Sequence, residues 1–133
     1  MERILVVDDN KALAKLIVMQ MEKSIEDMAI DVAYDFAEAQ MLISEHGKDY
    51  FMTILDLNLP DAPNGEIVDY VLAQGLCAIV LTGSIDDKTK EFFINKDIVD
   101  YVYKGNMDDI NYIFQMINRL SKNRQYKVLV VED

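Results

Sequence analysis

The chain has 133 residues, 51% of them apolar, and its 24 acidic against 13 basic side chains leave a formal net charge of −11. That is apolar material for one globular domain with a single core, and no apolar run approaches the ~18 residues of a membrane-spanning helix. The acidic excess argues against direct binding to nucleic acid or to an anionic membrane.

The N-terminus runs Met-Glu-Arg straight into a strand pattern, which is not a secretory signal. Arg3-Ile-Leu-Val-Val-Asp-Asp9 sets four apolar β-formers before two adjacent carboxylates. Residues 11–24 follow as an amphipathic helix, with Leu13, Leu16, Ile17 and Met21 on one stripe and Asn10 as its N-cap. Residues 28–33 are a second short strand. Asp35 then caps a helix to about His46, with Gly47 as its stop.

Residues 52–55 read as a short strand buried on both faces of a parallel sheet, halted at Asp56 and kept from continuing by Pro60. Asp61-Ala-Pro-Asn-Gly65 is turn-rich, and residues 66–74 form a short helix. A fourth strand, 78–81, ends in Thr82-Gly83. A helix over 86–95 carries Phe92-Phe93, which cannot both face inward, so one is expected to be exposed and to belong to an interaction surface. A fifth strand, 99–103, ends at Lys104, and a last helix over 107–122 buries Ile110, Ile113, Phe114, Ile117 and Leu120.

Cys77, the single cysteine, excludes an internal disulfide and suits a reducing cytoplasm; beside the 78–81 run it is expected to be a small core residue. The eight methionines are expected to fill the core, and His46 to lie on the surface.

Strands alternating with helices call for a parallel sheet covered on both faces, with right-handed crossovers and a ligand site beyond the carboxyl ends of the strands. At those ends stand Asp8 and Asp9, Asp56, Thr82 and Lys104. Three convergent carboxylates repel one another, at about 4 kcal/mol for two charges ~4 Å apart at an effective dielectric near 20. A divalent cation relieves this, and all-oxygen ligands favour Mg²⁺. A carboxylate nucleophile, a metal, an ammonium and a hydroxyl suit phosphoryl transfer. The alternative is a purely structural salt-bridge cluster of Lys104 with the acids.

Taken together, the acidic pair Asp8-Asp9 after a hydrophobic strand, Asp56 followed by Leu-Asn-Leu-Pro, Thr82-Gly83 and Asp100-Tyr-Val-Tyr-Lys104 resemble the receiver domain of bacterial two-component response regulators, of the chemotaxis-regulator-like kind. The resemblance spans about residues 2–122. It implies a flavodoxin-like fold with strand order 2-1-3-4-5, and an Asp56 that takes phosphate from a phosphohistidine on a sensor histidine kinase or phosphotransfer protein in the cytoplasm. It also implies Mg²⁺ held by Asp9, Asp56 and the Asn58 carbonyl, with Asp8 helping through water, and phosphoryl contacts from Thr82 and Lys104. Tyr101 matches the family's aromatic switch position, which makes helix 86–95, strand 99–103 and the last helix the expected signalling face and a route to a homodimer. Such a domain is a phosphoacceptor rather than a turnover enzyme.

Two departures from the family concern loop shape. Gly105 stands where proline usually follows the lysine, which favours a trans bond at Lys104-Gly105. The Asp56-to-Gly65 spacing is one residue longer than usual, with an extra Pro63, so a bulge is expected over 59–64. Residues 127–133, Lys-Val-Leu-Val-Val-Glu-Asp, repeat the character of residues 3–9. The expected organisation is therefore a receiver over 1–122, then a linker and the first strand of a second receiver over 123–133. Two rivals remain. A Mg²⁺-dependent phosphatase with an aspartate nucleophile would carry a second Asp where Asn58 stands. A degenerate receiver acting as an interaction module would lack one of Asp9, Asp56, Thr82 or Lys104, and all four are present.

Overall fold

Parallel pairing of short apolar strands organises the molecule. In the computed structural model, which describes residues 2–25, 28–83, 87–94, 96–104 and 107–125, β1 (Arg3–Val7), β2 (Ala29–Ala33), β3 (Tyr50–Asp56), β4 (Ala78–Thr82) and β5 (Asp100–Tyr103) form one sheet in the order β2-β1-β3-β4-β5. All four pairings are parallel. The crossovers are α1 (Lys11–Ser24), α2 (Phe36–His46), α3 (Glu66–Ala73) and α4 (Asp87–Phe93), and α5 (Met107–Gln125) follows β5. This is the flavodoxin-like doubly wound arrangement, with the strand order reversing between β1 and β3.

Because side chains alternate along a strand, each strand serves two cores. Leu5, Val7, Leu55 and Val80 pack with Ala39, Ile43, Ile67, Val68, Val71 and Phe93 on the side covered by α2, α3 and α4. Ile4, Val6, Ile54, Ile79 and Leu81 pack with Ile17, Met21, Ile110, Ile113 and Ile117 on the side of α1 and α5. Burial on both faces explains why these strands read as continuous apolar runs. Each fully buried Ile or Leu stabilises the fold by about 1.5–3 kcal/mol.

The expected caps are present: Asn10 Oδ1 accepts from Leu13 N at 3.1 Å, and Asp35 Oδ1 from Glu38 N at 2.8 Å. Element ends shift by a few residues. β3 starts at Tyr50 and includes Asp56, β2 and β5 each start one residue late, and α5 continues to Gln125. Gly47 does not close α2 in a left-handed turn; with φ −44° it opens a single 3₁₀ turn, Gly47–Asp49.

Three expectations about packing need correction. Cys77 is exposed, because β4 begins only at Ala78 and Cys77 meets the sheet through its carbonyl, which accepts from Thr53 N at 3.0 Å and Thr53 Oγ1 at 2.7 Å. Of the methionines, Met21 and Met52 are core residues, but Met19 and Met41 are 48% and 66% exposed on the outer sides of α1 and α2. Phe93 takes the inward position on α4, whereas half-buried Phe92 lies against Gly65, at the head of α3, rather than standing free. Gly105 and the repeat at 127–133 lie outside the described residues.

Candidate active site

Register brings the acids together. Val7 is opposite Leu55 in the β1–β3 ladder, so the residues that follow, Asp8 and Asp56, emerge side by side at the carboxyl edge. Asp8 is buried completely and Asp56 is 1% exposed, while Asp9 reaches solvent. One carboxylate oxygen from each of Asp8, Asp9 and Asp56 lies within 4.8 Å of the others. Lys104 arrives from the end of β5, its backbone N–H donating to Thr82 O at 2.9 Å, and its Nζ stands 3.3 Å from both Asp8 Oδ2 and Asp56 Oδ2.

The remaining oxygens are held by local backbone. Asp8 Oδ1 accepts from Asn10 N at 2.8 Å, which fixes the turn from β1 into α1. Asp56 Oδ1 accepts from Asn58 N at 3.0 Å. Asp56 Oδ2, by contrast, is buried without a hydrogen-bond partner among the described residues and is ion-paired with Lys104. Burial pushes the Asp56 carboxyl up to about 7; the Asn58 N–H opposes this, the Asp8 charge and the Asp9 carboxyl reinforce it, and Lys104 pulls back down. Burial works against the Lys104 ammonium too, but attraction to Asp56 and Asp8 outweighs it and raises its pKa above the ordinary value.

The other expected site residues fall as follows. Thr82 closes β4 one residue beyond Leu81, the partner of Asp56 in the β3–β4 ladder, and is 1% exposed. Asn58 is exposed on the loop after β3. Tyr101 is half-buried on β5 and stacks on Phe93 of α4, with ring centroids 4.9 Å apart and planes at 20°. Asp8, Asp9, Asp56 and Lys104 thus meet in one cluster at the carboxyl edge of the sheet.

The donor set fits a hard cation. Three carboxylates face one ammonium, so the cluster carries excess negative charge, and an orphaned buried oxygen of Asp56 is among the atoms that could coordinate. Asp8, Asp9 and Asp56 would hold Mg²⁺ there. What sequence reasoning missed is the anchoring of the neighbouring loop. Asp61 Oδ1 and Oδ2 accept from Phe36 N at 2.9 Å and Ala37 N at 3.1 Å, a contact across 24–25 residues that no local pattern announces.

Comparison with known proteins agrees with this fold. The model of the response regulator receiver domain matches residues 4–118. The crystal structure of a two-component system response regulator/GGDEF domain protein is 29% identical with TM-score 0.80, and the match covers 94% of this chain but 49% of that one. This chain therefore spans about half the length of that relative. A receiver domain protein (CheY-like) from Methanospirillum hungatei JF-1 is 21% identical over 96% of this chain and 98% of its own, with TM-score 0.76. The receiver domain of Francisella response regulator 1452 is 23% identical over 93% and 99%, also with TM-score 0.76. These last two likenesses speak to the fold. A search of curated proteins finds no match. With the family model covering most of its length, the chain belongs to the receiver domain family of two-component response regulators.

Proposed function

We propose that Asp56 is the phosphoacceptor of a signalling switch, receiving a phosphoryl group from a phosphohistidine on a sensor kinase or phosphotransfer protein. The observation that carries this reading is Asp56 Oδ2: buried, without a hydrogen-bond partner among the described residues, and 3.3 Å from Lys104 Nζ. In the transfer, an Asp56 carboxylate oxygen forms the new O–P bond as the P–N bond to the donor imidazole breaks, and the imidazole keeps that electron pair and takes a proton. Lys104 would neutralise charge that spreads over the phosphoryl oxygens, and Thr82 would donate its hydroxyl. Bound Mg²⁺ would supply positive charge that holds Asp56 ionised and screens the phosphoryl group. Asp9 and the Asn58 carbonyl would be its further protein ligands, with Asp8 helping through water.

The modified state is read out through α4, β5 and α5, where Tyr101 links strand to helix by its stack on Phe93. The family likeness supports a cytoplasmic switch rather than a turnover enzyme, and homodimerisation through that face is one readout. By likeness to the response regulator/GGDEF chain, the output belongs to a region beyond this domain. The repeat at 127–133 supports a following receiver as that region. Beryllofluoride with Mg²⁺ tests the site. Amide NMR signals of Asp56, Thr82 and Lys104 should shift in the unmodified chain and stay unchanged in Asp56→Asn. Equal shifts in the variant would overturn the assignment.

A further inference from the structure

We infer that Asp61 is a positioning residue for the acidic centre, clamping the loop after β3 onto the first turn of α2 so that Asn58 is presented at one fixed place. The inference rests on the phosphoacceptor reading and adds to it a residue outside the cluster.

The first N–H groups of a helix have no intrahelical acceptor. In α2, the N-cap Asp35 satisfies only Glu38 N, at 2.8 Å. The two preceding N–H groups, of Phe36 and Ala37, are both taken by the single carboxylate of Asp61, one oxygen each. These two bonds hold the Asp61 pKa below the ordinary carboxylate value although the side chain is exposed. A helix N-terminus favours a negative charge at this place.

Asp61 is held firmly on its own side as well. Leu59 and Ala62 exchange both backbone hydrogen bonds, at 3.1 and 3.3 Å, and both side chains are buried. Pro60 and Asp61 are therefore the two tip residues of a tight turn, with proline at the position its fixed φ suits. Upstream, Asn58 N is tied to Asp56 Oδ1. Asn58 is thus strung between two anchors, the carboxylate of Asp56 and the clamped turn that starts at Leu59. Its carbonyl has little freedom while both hold. The family's shorter loop gains a residue here, and Pro63 and Asn64 are exposed beyond Ala62.

The test is Mg²⁺ titration of the full chain, followed by NMR or calorimetry, for Asp61→Ala, Asp61→Asn and Asp35→Ala. Asp35→Ala removes a cap from the same helix without touching the loop. Asp61→Ala should weaken Mg²⁺ binding about tenfold, the scale of losing a group that orients a metal ligand. Asp61→Asn, which retains one acceptor oxygen, should fall between it and the unmodified chain, and Asp35→Ala should leave the affinity unchanged. Unchanged affinity in Asp61→Ala, or equal weakening in Asp35→Ala, overturns the inference and leaves the phosphoacceptor reading standing. Failure of the unmodified chain to bind Mg²⁺ overturns that reading, and the inference with it.

Discussion

Lys104 Nζ stands 3.3 Å from Asp56 Oδ2, a buried oxygen that has no hydrogen-bond partner among the described residues. One ammonium shared between Asp56 and Asp8 does not offset three carboxylates. The metal-free site is therefore under electrostatic strain that protonation, substitution or a cation should relieve.

Protonation gives the first prediction. The folded-state pKa of Asp56, about 7, lies above its ordinary 3.8. Between these values the folded chain holds a proton that the unfolded chain has released, so metal-free stability should fall as pH rises from about 4 to 7 and level off above. The shift corresponds to a penalty of about 4 kcal/mol at the top of the window. Urea unfolding at about pH 5 and pH 8 without metal should show the decline, and Asp56→Asn should remove most of it and be the more stable protein at the higher pH. A flat profile in the unmodified chain would contradict the strain.

Relief by metal gives the second. Mg²⁺ at about 100 times its Kd should stabilise the folded chain by about 2.7 kcal/mol, a rise in Tm of roughly 10 °C. Asp9→Asn should shrink this gain, because it removes the ligand nearest solvent. Thermal melts with and without Mg²⁺ measure both; an unchanged Tm at millimolar metal would count against the site.

Two glycines supply a third. Gly65 and Gly75 both have left-handed φ, +74° and +77°, but a Cβ at Gly65 would lie 2.6 Å from Leu57 Cδ1 and 2.7 Å from Phe92 Cζ, whereas Gly75 has open space around it. Gly75→Ala should cost only the backbone penalty, about 1–2 kcal/mol. Gly65→Ala adds overpacking and should cost about 2–4 kcal/mol. Denaturant unfolding of the two variants decides, and equal losses would mean that Phe92 yields freely.

The sequence made much of this legible because a parallel alternating sheet leaves little choice. Once apolar runs at residues 3–7, 52–55, 78–81 and 99–103 are strands of one such sheet, their carboxyl ends share an edge, so Asp8, Asp56, Thr82 and Lys104 have to converge. The unread parts depend on contacts with no local periodicity. The role of Asp61 rests on a helix terminus 24–25 residues upstream, and the half-burial of Phe92 on the absent Cβ of Gly65. Cys77 misled because an apolar residue next to a strand looks like part of it, while the ladder starts one residue later.

The most direct measurement is site-mapped phosphorylation. The chain is incubated with acetyl phosphate, with and without Mg²⁺, and the modified residue is located by mass spectrometry after borohydride reduction of the acyl phosphate. We expect one Mg²⁺-dependent modification, at Asp56, absent from Asp56→Asn and strongly reduced in Lys104→Ala. A label on another residue, or none on Asp56 with Mg²⁺ present, would contradict the account at its centre.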